Sequence, residues 1–401
     1  MELILNMKTA IRLNNIKEYY FSKKLREIEE LRSSGIDVIN AGIGSPDLAP
    51  HHSVITELQD QSNNKNAHKY QSYQGLIEFR ESISKFYLKY FDVQSNPENE
   101  VLPLMGSKEG IMHISMAFLN TGDEVLIPNP GYPTYSSITR LVEAKPVFYD
   151  LNNENNWFPN LNDLEKKNLN KVKIMWINYP HMPTGASANS SQLNDLVNIC
   201  KKHEILLIND NPYSFILNND FVSLLSIKNA KENCMELNSL SKAFNLSGWR
   251  VGMLLGSSIN ISRVLKIKSN MDSGMFYGIQ KGAIQALSSE IKWFNSLNVV
   301  YKRRRELVWE LANILKCKFD KNASIFLEHA KGYVPVGEIS ILIAVSSGHR
   351  DEAFKICRYI LEEIKHKSPI WKKEHYIEGN EQWLPGHSLR PKEEIKQYEK
   401  R

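Results

Sequence analysis

A lysine, a serine and an arginine with fixed spacing form the most informative group of residues in this chain. In the segment SLSKAFNLSGWRVG (239–252), Ser239 precedes Lys242 by three residues and Arg250 follows it by eight. A lysine amine forms a Schiff base with an aldehyde, and a serine hydroxyl with an arginine fork suits a phosphate. The spacing therefore predicts a site for a phosphorylated aldehyde attached to Lys242. The alternative is a solvated lysine and arginine on a loop, which fits most isolated S-x-x-K matches.

Two further segments carry residues that suit the same kind of ligand. Asp210 ends the very apolar run ILLIND, where a carboxylate is costly unless a cation pairs with it. Tyr213 stands three residues later. The turn GSKEG (106–110) separates the strand-like run VLPLM from the helix-like run IMHISMAFL. Free amides at a helix N-terminus bind phosphate, although a plain strand-to-helix turn is the alternative for this segment.

Length and composition limit the class of protein. The 401 residues are enough for two or three domains, and 42% apolar with 24% charged residues is typical of a soluble globular protein. The net charge of +5 is spread along the chain and does not indicate a nucleic-acid partner. Four cysteines without C-x-x-C spacing argue against a metal site and for a reducing compartment. No signal peptide or membrane helix is recognisable, so we expect a cytoplasmic protein.

The elements that must position these residues follow an alternating pattern. Residues 8–32 predict an amphipathic helix ended by Gly35. From about residue 75 to 290, helical stretches alternate with short β-branched runs, which predicts an α/β domain with a mostly parallel sheet. Ligands in such domains bind at the carboxyl ends of the strands. Gly106, Asn178 and Asp210 each follow a strand-like run, so they are expected at one edge of the sheet.

In this order and spacing, the segments resemble the class I/II (fold-type I) pyridoxal 5'-phosphate (PLP)-dependent aminotransferases over about residues 1–323. The resemblance implies that Lys242 forms the Schiff base with PLP and moves the proton between the substrate Cα and C4'. It implies that Asp210 keeps the pyridine nitrogen protonated and that Tyr213 hydrogen-bonds the phenolate oxygen. The implied phosphate contacts are Ser107, Lys108, Ser239 and Arg250.

The resemblance implies further contacts, each of which has an alternative explanation. Tyr132, in PNPGYPTY, would stack on the pyridine ring, or is a buried structural tyrosine. Tyr70, in HKYQSYQG, would reach the phosphate of a neighbouring subunit and imply a homodimer, or is a surface aromatic. NYPHMPTG (178–185) resembles the family's N-P-x-N-P-T-G loop, but Met182 replaces the asparagine that touches the phenolate oxygen. Methionine cannot donate that hydrogen bond, so either Asn178 compensates or Tyr213 carries the contact alone.

After about residue 323 the aminotransferase pattern ends, without the strand arginine that binds the substrate carboxylate. GYVPVGE, AVSSGHR and PIWKKE resemble the C-terminal half of the molybdopterin synthase large (catalytic) subunit. Residues 338–346 predict a strand and 353–364 an amphipathic helix. The resemblance implies a second site for a pterin and sulfur transfer, with the synthase small (sulfur-carrier) subunit as partner. Its residues would be His349, Arg350, Lys365 and Lys372; a solvated helix face is the alternative for the two lysines.

The predicted organisation has four parts. Residues 1–45 form an N-terminal arm with part of a small domain, 46–290 the PLP-binding large domain, 291–323 the start of a truncated small domain, and 324–401 the synthase-like α+β segment. We expect an aminotransferase that moves an amino group from an amino acid to a 2-oxo acid, with turnover impaired by the truncation. The alternatives are a molybdopterin synthase catalytic-subunit-like protein in molybdenum cofactor biosynthesis, or a non-catalytic fusion.

Overall fold

A computed structural model describes residues 8–16, 18–36, 38, 44–318, 324–329, 341–367, 372–374 and 382–384. The chain divides into two compact units. The first contains Met1–Arg26 and Asn40–Tyr301, and the second contains Glu27–Ile39 and Lys302–Arg401.

The first unit is built on a seven-stranded sheet with the order β1-β7-β6-β5-β4-β2-β3. Its strands are β1 Val101–Leu104, β2 Glu124–Asn129, β3 Lys145–Asp150, β4 Val172–Ile177, β5 Leu206–Asp210, β6 Cys234–Ser239 and β7 Gly252–Gly256. Neighbouring strands from β3 to β6 are parallel, whereas β7 is antiparallel to both β6 and β1. This mixed sheet confirms the predicted α/β class.

The described helices that begin in the first unit are α1 Tyr20–Ser33, α2 His52–Ser62, α3 Ile77–Phe91, α4 Ser107–Phe118, α5 Pro133–Leu141, α6 Leu161–Glu165, α7 Ser190–Lys202, α8 Ser258–Lys268, α9 Tyr277–Leu287 and α10 Ile291–Lys318. Helices α4 to α7 lie between consecutive strands from β1 to β5, as alternating sequence patterns predict, whereas α1 to α3 precede β1 and α8 to α10 follow β7. The second half of α1 and residues 302–318 of α10 belong to the second unit. The continuous helix predicted over 8–32 is wrong at its start, where a short 3-10 turn covers Ile11–Asn15. The asparagine pair there favours a turn over a helix interior.

Hydrophobic residues cover both faces of the sheet. On β4, Met175 and Ile177 join one core cluster, while Ile174 and Trp176 join the other. Because side chains alternate along a strand, this placement requires helices on both faces, and it explains why the strands read as continuous apolar runs rather than alternating ones.

The second unit combines short strands with one further helix. β8 Ser324–His329 pairs antiparallel with β9 Ile341–Ser346, and β10 Lys372–Glu374 pairs with β11 Gln382–Leu384. The strand predicted over 338–346 corresponds to β9, and the helix predicted over 353–364 lies within α11 Arg350–Lys367. Across the described ranges, no helix has the length and apolar character needed to span a bilayer.

Candidate active site

The predicted site residues of the first unit gather at one edge of its sheet. Strands β2, β4, β5 and β6 are parallel, and β1 runs the same way because two antiparallel pairings separate it from β6. The carboxyl ends of all five strands therefore share one edge. Gly106, Asn178, Asp210 and Lys242 follow or end four of these strands. Parallel sheets carry ligand sites at this edge.

Asp210 is a buried carboxylate with one side-chain oxygen left without a hydrogen bond. Its side chain lies on β5 with 4% of the residue exposed, and its Oδ2 accepts from the Tyr135 hydroxyl at 2.9 Å. Its Oδ1 has no hydrogen-bond partner among the described residues. The pKa of Asp210 is raised to about 7. Burial raises it most, the Tyr135 hydrogen bond lowers it, and the charge of Glu236 raises it. A buried, unpartnered carboxylate oxygen suits a cationic ligand atom such as a protonated ring nitrogen.

The turn before α4 forms a cradle for an anion. Gly106 has φ +91°, and a Cβ there would overlap the Arg250 guanidinium. A Cβ at Gly252 would lie 2.8 Å from the Ser107 backbone nitrogen. Arg250 donates from Nη1 to the Ser247 carbonyl at 2.9 Å, which fixes its fork against the first turn of α4. A guanidinium and the free amides of a helix N-terminus at one place favour a phosphate.

Ser239 ends β6, and Lys242 lies in the loop that joins β6 to β7. The Lys242 Nζ donates to the Gly44 carbonyl at 2.6 Å. Burial lowers the pKa of Lys242, and the charge of Arg250 lowers it further. A lowered pKa increases the fraction of free amine, which is the nucleophilic form. The Ser239 hydroxyl is buried and donates to Ser241 Oγ at 2.8 Å.

Two tyrosines from the predicted set border this edge. Tyr132 precedes α5, is partly buried, and packs edge-on against Tyr135 with 5.6 Å between ring centroids. Tyr135 in turn stacks on Trp176 at 5.0 Å. Burial raises the pKa of Tyr132 to about 12, and burial followed by the charge of Asp210 raises that of Tyr213 to about 12. Both phenols are therefore neutral hydrogen-bond donors at neutral pH.

Asn178 is bound within the protein rather than directed outward. Its Nδ2 donates to the Asp210 backbone carbonyl, and its Oδ1 accepts from the Met182 N–H at 2.8 Å. These bonds tie the loop after β4 to the end of β5. Met182 itself is partly buried. Asn178 thus orders the loop in which Met182 replaces the asparagine of the family motif.

Lys108 faces Tyr19, an aromatic residue that is not among the predicted site residues. The Lys108 Nζ lies 3.8 Å from the centroid of the Tyr19 ring, in the range of a cation–π contact. Burial lowers the pKa of Lys108, and the charge of Arg250 adds to this. Tyr19 lies inside the helix predicted over residues 8–32, and no sequence signal distinguishes it. Tyr135 and Glu236 were also missed, although a tyrosine three residues after Tyr132 and a charge in an apolar strand are visible signals.

Tyr70 lies on the surface of the chain, with 89% of the residue exposed. It lines an open pocket of about 280 Å³ with residues from its own loop and from the segment before α9. The lining residues are His68, Lys69, Tyr70, Gln71, Ser273, Gly274, Met275 and Phe276. Such exposure fits either predicted alternative, a surface aromatic or a residue that reaches another subunit.

Carboxylate and imidazole side chains of α4 meet a carboxylate from the segment after α8. In the described part of the chain, Glu109, His113 and Asp272 are the one set close enough to share a metal ion. The Glu109 Oε1 lies 2.9 Å from the His113 Nε2, and the Lys268 Nζ lies 2.8 Å from the Asp272 Oδ1. An ammonium therefore already occupies the cationic position in this cluster. We treat it as an ion-pair network.

The residues of the predicted pterin site lie in the second unit. His349 and Arg350 are exposed at the start of α11, where the His349 N–H donates to Ser347 Oγ at 3.4 Å. Lys365 lies in α11 and Lys372 begins β10. The side chains of these two lysines are outside the described part of the structure.

Comparison with known proteins identifies the class to which this fold and site belong. A model of the family "Aminotransferase class I and II" matches residues 36–365, and the chain belongs to this family. Its enzymes use PLP. The unpartnered Asp210 Oδ1 and the cradle between Arg250 and α4 fit the ring nitrogen and the phosphate of this cofactor. The match extends 42 residues beyond the predicted boundary at residue 323.

Curated relatives and a solved structure show which members of the family the chain is similar to. The LL-diaminopimelate aminotransferase of Dehalococcoides mccartyi is 40% identical over 311 residues, which are 77% of this chain and 80% of the relative. That of Halothermothrix orenii is 35% identical over 333 residues, 82% of this chain and 85% of the relative. The apo structure of BacF from Bacillus subtilis superposes with a TM-score of 0.75 at 32% identity, covering 78% of this chain and 80% of that one.

Proposed function

We propose that this aminotransferase binds PLP at Lys242 and transfers an amino group from a diamino dicarboxylic acid of the LL-diaminopimelate type to a 2-oxo acid. The observation that supports the site most directly is the buried Oδ1 of Asp210, which lacks a hydrogen-bond partner among the described residues. When bound, PLP supplies an electron-withdrawing ring that stabilises negative charge at the substrate Cα. All other steps depend on side chains of this chain.

Each side chain has a role that its environment supports. Asp210 Oδ1 would hold the ring nitrogen in its protonated form. Lys242, with its lowered pKa, would be the attachment point of the cofactor and the group that takes and returns the Cα proton. Tyr132 would stack on the ring. Arg250, the amides of Ser107 and Lys108, and the Ser239 hydroxyl would hold the phosphate.

The Met182 replacement leaves one donor for the phenolate oxygen. Asn178 already donates to the Asp210 carbonyl and accepts from the Met182 N–H. Tyr213, three residues after Asp210, keeps its proton because burial raises its pKa to about 12. Of the two alternatives from the sequence, these contacts favour Tyr213 as the donor.

A direct test identifies the attachment point. Borohydride reduction of protein supplied with PLP, followed by peptide mass spectrometry, should find the cofactor on Lys242. Lys242→Ala should lose the visible absorbance band, whereas Lys266→Ala, a change of an exposed lysine on α8, should keep it. Cofactor on another lysine, or no cofactor on any, would contradict the proposal.

The substrate class rests on the relatives and on Lys108. The curated relatives are named for LL-diaminopimelate. Lys108 is partly buried beside the cradle, and none of the described carboxylates lies within ion-pair distance of its Nζ. It is therefore suited to the second carboxylate of a dicarboxylic substrate. Single-turnover spectra with LL-diaminopimelate, L-glutamate, L-aspartate and L-lysine test this; a preference for L-lysine would contradict it.

The rate of turnover is a separate expectation. The sequence lacks a recognisable strand arginine for the substrate α-carboxylate, and losing a charge-assisted bidentate pair costs about 3 kcal/mol, roughly a hundredfold in affinity. We therefore expect weak steady-state transamination. A Michaelis constant in the low-millimolar range or below would show that another cation binds this carboxylate.

We also propose a homodimer in which the exposed Tyr70 contributes to the phosphate site of the other subunit. The 89% exposure of Tyr70 in the single chain supports this assignment. Light scattering should give twice the mass of 46.2 kDa, and Tyr70→Phe should weaken PLP binding without changing the mass. A monomer that binds PLP would exclude the shared site.

The resemblance of the C-terminal segment to molybdopterin synthase remains a prediction of the sequence. Its motifs lie partly beyond residue 365, where the aminotransferase match ends. Co-purification with a ubiquitin-like sulfur-carrier subunit, and its loss when Lys365 and Lys372 are both changed to alanine, would support this function. Absence of an interaction would leave the aminotransferase activity as the one function proposed.

A further inference from the structure

A second buried carboxylate lies one strand away from Asp210. Glu236, on β6, is fully buried and is the register partner of Asn209 on β5, while Asp210 is opposite Leu237. Because neighbouring residues of a strand point to opposite faces, Glu236 and Asn209 share the face opposite to the Asp210 side chain. The two carboxylates thus lie on the two sides of the same sheet.

Glu236 binds both residues that flank Asp210. Its Oε1 accepts from Asn211 Nδ2 at 3.2 Å, and its Oε2 accepts from the Leu224 N–H at 2.7 Å and, at a longer 3.4 Å, from Asn209 Nδ2. Asn209 Oδ1 also accepts from the Tyr179 N–H at 2.9 Å, at the start of the loop that contains Met182. Glu236 therefore connects the two neighbours of Asp210 with the loop after β4.

Burial raises the pKa of Glu236, and hydrogen bonds from the Leu224 N–H and from the side chains of Asn211, Ser223 and Asn209 oppose this by stabilising the ionised form. Every contact named above is a donor, which suits a carboxylate better than a protonated carboxyl. The two asparagine oxygens are engaged elsewhere, Asn209 Oδ1 with the Tyr179 N–H and Asn211 Oδ1 with the Ser214 hydroxyl. None of the described ion pairs includes Glu236, so its charge is balanced by dipoles alone. A neutral residue would cost less to bury if the role were only structural.

We propose that Glu236 is a positioning residue for the cofactor ring, because it fixes Asp210 through Asn209 and Asn211 and adds a second negative charge behind it. The proposal rests on the proposed PLP site at Asp210. The added charge favours a cation at Asp210 Oδ1, so it strengthens binding of a protonated pyridine. The charge of Glu236 also raises the pKa of Asp210, after the larger effect of burial, so the added attraction for a cation acts once Asp210 is ionised.

The test compares two cofactors that differ at the ring nitrogen. PLP and 1-deazapyridoxal 5'-phosphate, which has a C–H group in place of that nitrogen, are titrated into cofactor-free wild type and Glu236→Gln by fluorescence. We expect Glu236→Gln to bind PLP about tenfold more weakly, as for coupled neighbours in one network, and the deaza compound within twofold of wild type. In an Asp210→Asn background, Glu236→Gln should cause no further loss.

Other outcomes are equally decisive. An equal loss for both compounds, or no loss for PLP, would overturn the proposal, since a merely structural role does not distinguish the ring atom. Wild type that binds neither compound would refute the proposed function and this role with it. The matched control is Glu100→Gln, which removes a half-buried carboxylate bound to Asn96 N–H and Lys231 and should change neither affinity.

A second variant covers the case in which Glu236→Gln does not fold. Asn211→Ala breaks one of the two side-chain links to Glu236 and keeps the carboxylate. It should weaken PLP about threefold and spare the deaza compound. Weakening of both compounds to the same degree would overturn the proposal.

Discussion

The two faces of the sheet carry two buried carboxylates with opposite hydrogen-bonding environments. Asp210 accepts one side-chain hydrogen bond, from Tyr135, and its Oδ1 has no partner among the described residues. Glu236 accepts from the Leu224 N–H and from the side-chain amides of Asn209 and Asn211. Since buried polar atoms are almost always paired, the unpartnered oxygen indicates where a ligand binds. In our proposal, the carboxylate of Glu236 fixes Asp210 in that position.

The largest expected effect comes from removing the charge at the unsaturated position. Asp210→Asn keeps the size of the side chain but cannot hold a ring nitrogen in its protonated form. We expect the rate of the half-reaction with an amino acid to fall about 10³-fold and the affinity for PLP to fall more than in Glu236→Gln. Stopped-flow absorbance measures the first and fluorescence titration the second. A variant that reacts as fast as wild type would remove Asp210 from the site.

A second prediction concerns the stability of the cofactor-free protein. The pKa of Asp210 is raised from 3.8 to about 7, mainly by burial. The folded state therefore binds more protons than the unfolded state between these values, and the free energy of unfolding falls as pH rises from about 4 to about 7. The loss is up to roughly 4 kcal/mol. Asp210→Asn lacks this contribution.

Urea unfolding of cofactor-free wild type and Asp210→Asn at pH 5 and pH 8 measures this difference. The variant should be relatively more stable at pH 8, and saturating PLP should reduce the advantage because the bound cation then compensates the carboxylate. Identical pH dependence in the two proteins would show that Asp210 titrates near its ordinary value, and the contrast between the two carboxylates would lose its electrostatic basis.

The sequence was sufficient to predict the residues that end strands, and insufficient for those that depend on strand register. Gly106, Asp210 and Lys242 follow or end apolar runs, and parallel strands bring such ends together. Arg250 precedes β7, whose antiparallel direction brings its first residues to the same edge. The contact between Glu236 and Asn209 depends on how β5 and β6 are aligned, which local patterns do not determine.

The other residues that the sequence did not predict have separate explanations. The Lys and Glu pattern of α1 continues on the N-terminal side of that helix, so the sequence predicts one helix over 8–32 and does not distinguish Tyr19 within it. The pairing of Tyr135 with Asp210 joins α5 to β5 across 75 residues, so only the tertiary fold reveals it. The departure at Met182 was visible in the sequence, whereas the hydrogen bonds that occupy Asn178 were not.

The smallest expected effect comes from the one hydrogen bond that Asp210 does accept. Tyr135→Phe removes the hydroxyl that donates to Asp210 Oδ2 at 2.9 Å, a bond that lowers the pKa of this carboxyl. Without it the carboxylate is harder to ionise and less fixed in orientation, so PLP should bind about three- to tenfold more weakly, a cost of about 1 kcal/mol. The matched control is Tyr149→Phe, which removes another fully buried hydroxyl, bound to the Trp176 carbonyl at 2.6 Å. Both variants should lose similar free energy of unfolding, measured with urea, while only Tyr135→Phe should lose affinity for PLP. Equal loss of affinity in the two would mean that the Tyr135 hydroxyl supports the fold rather than the orientation of Asp210.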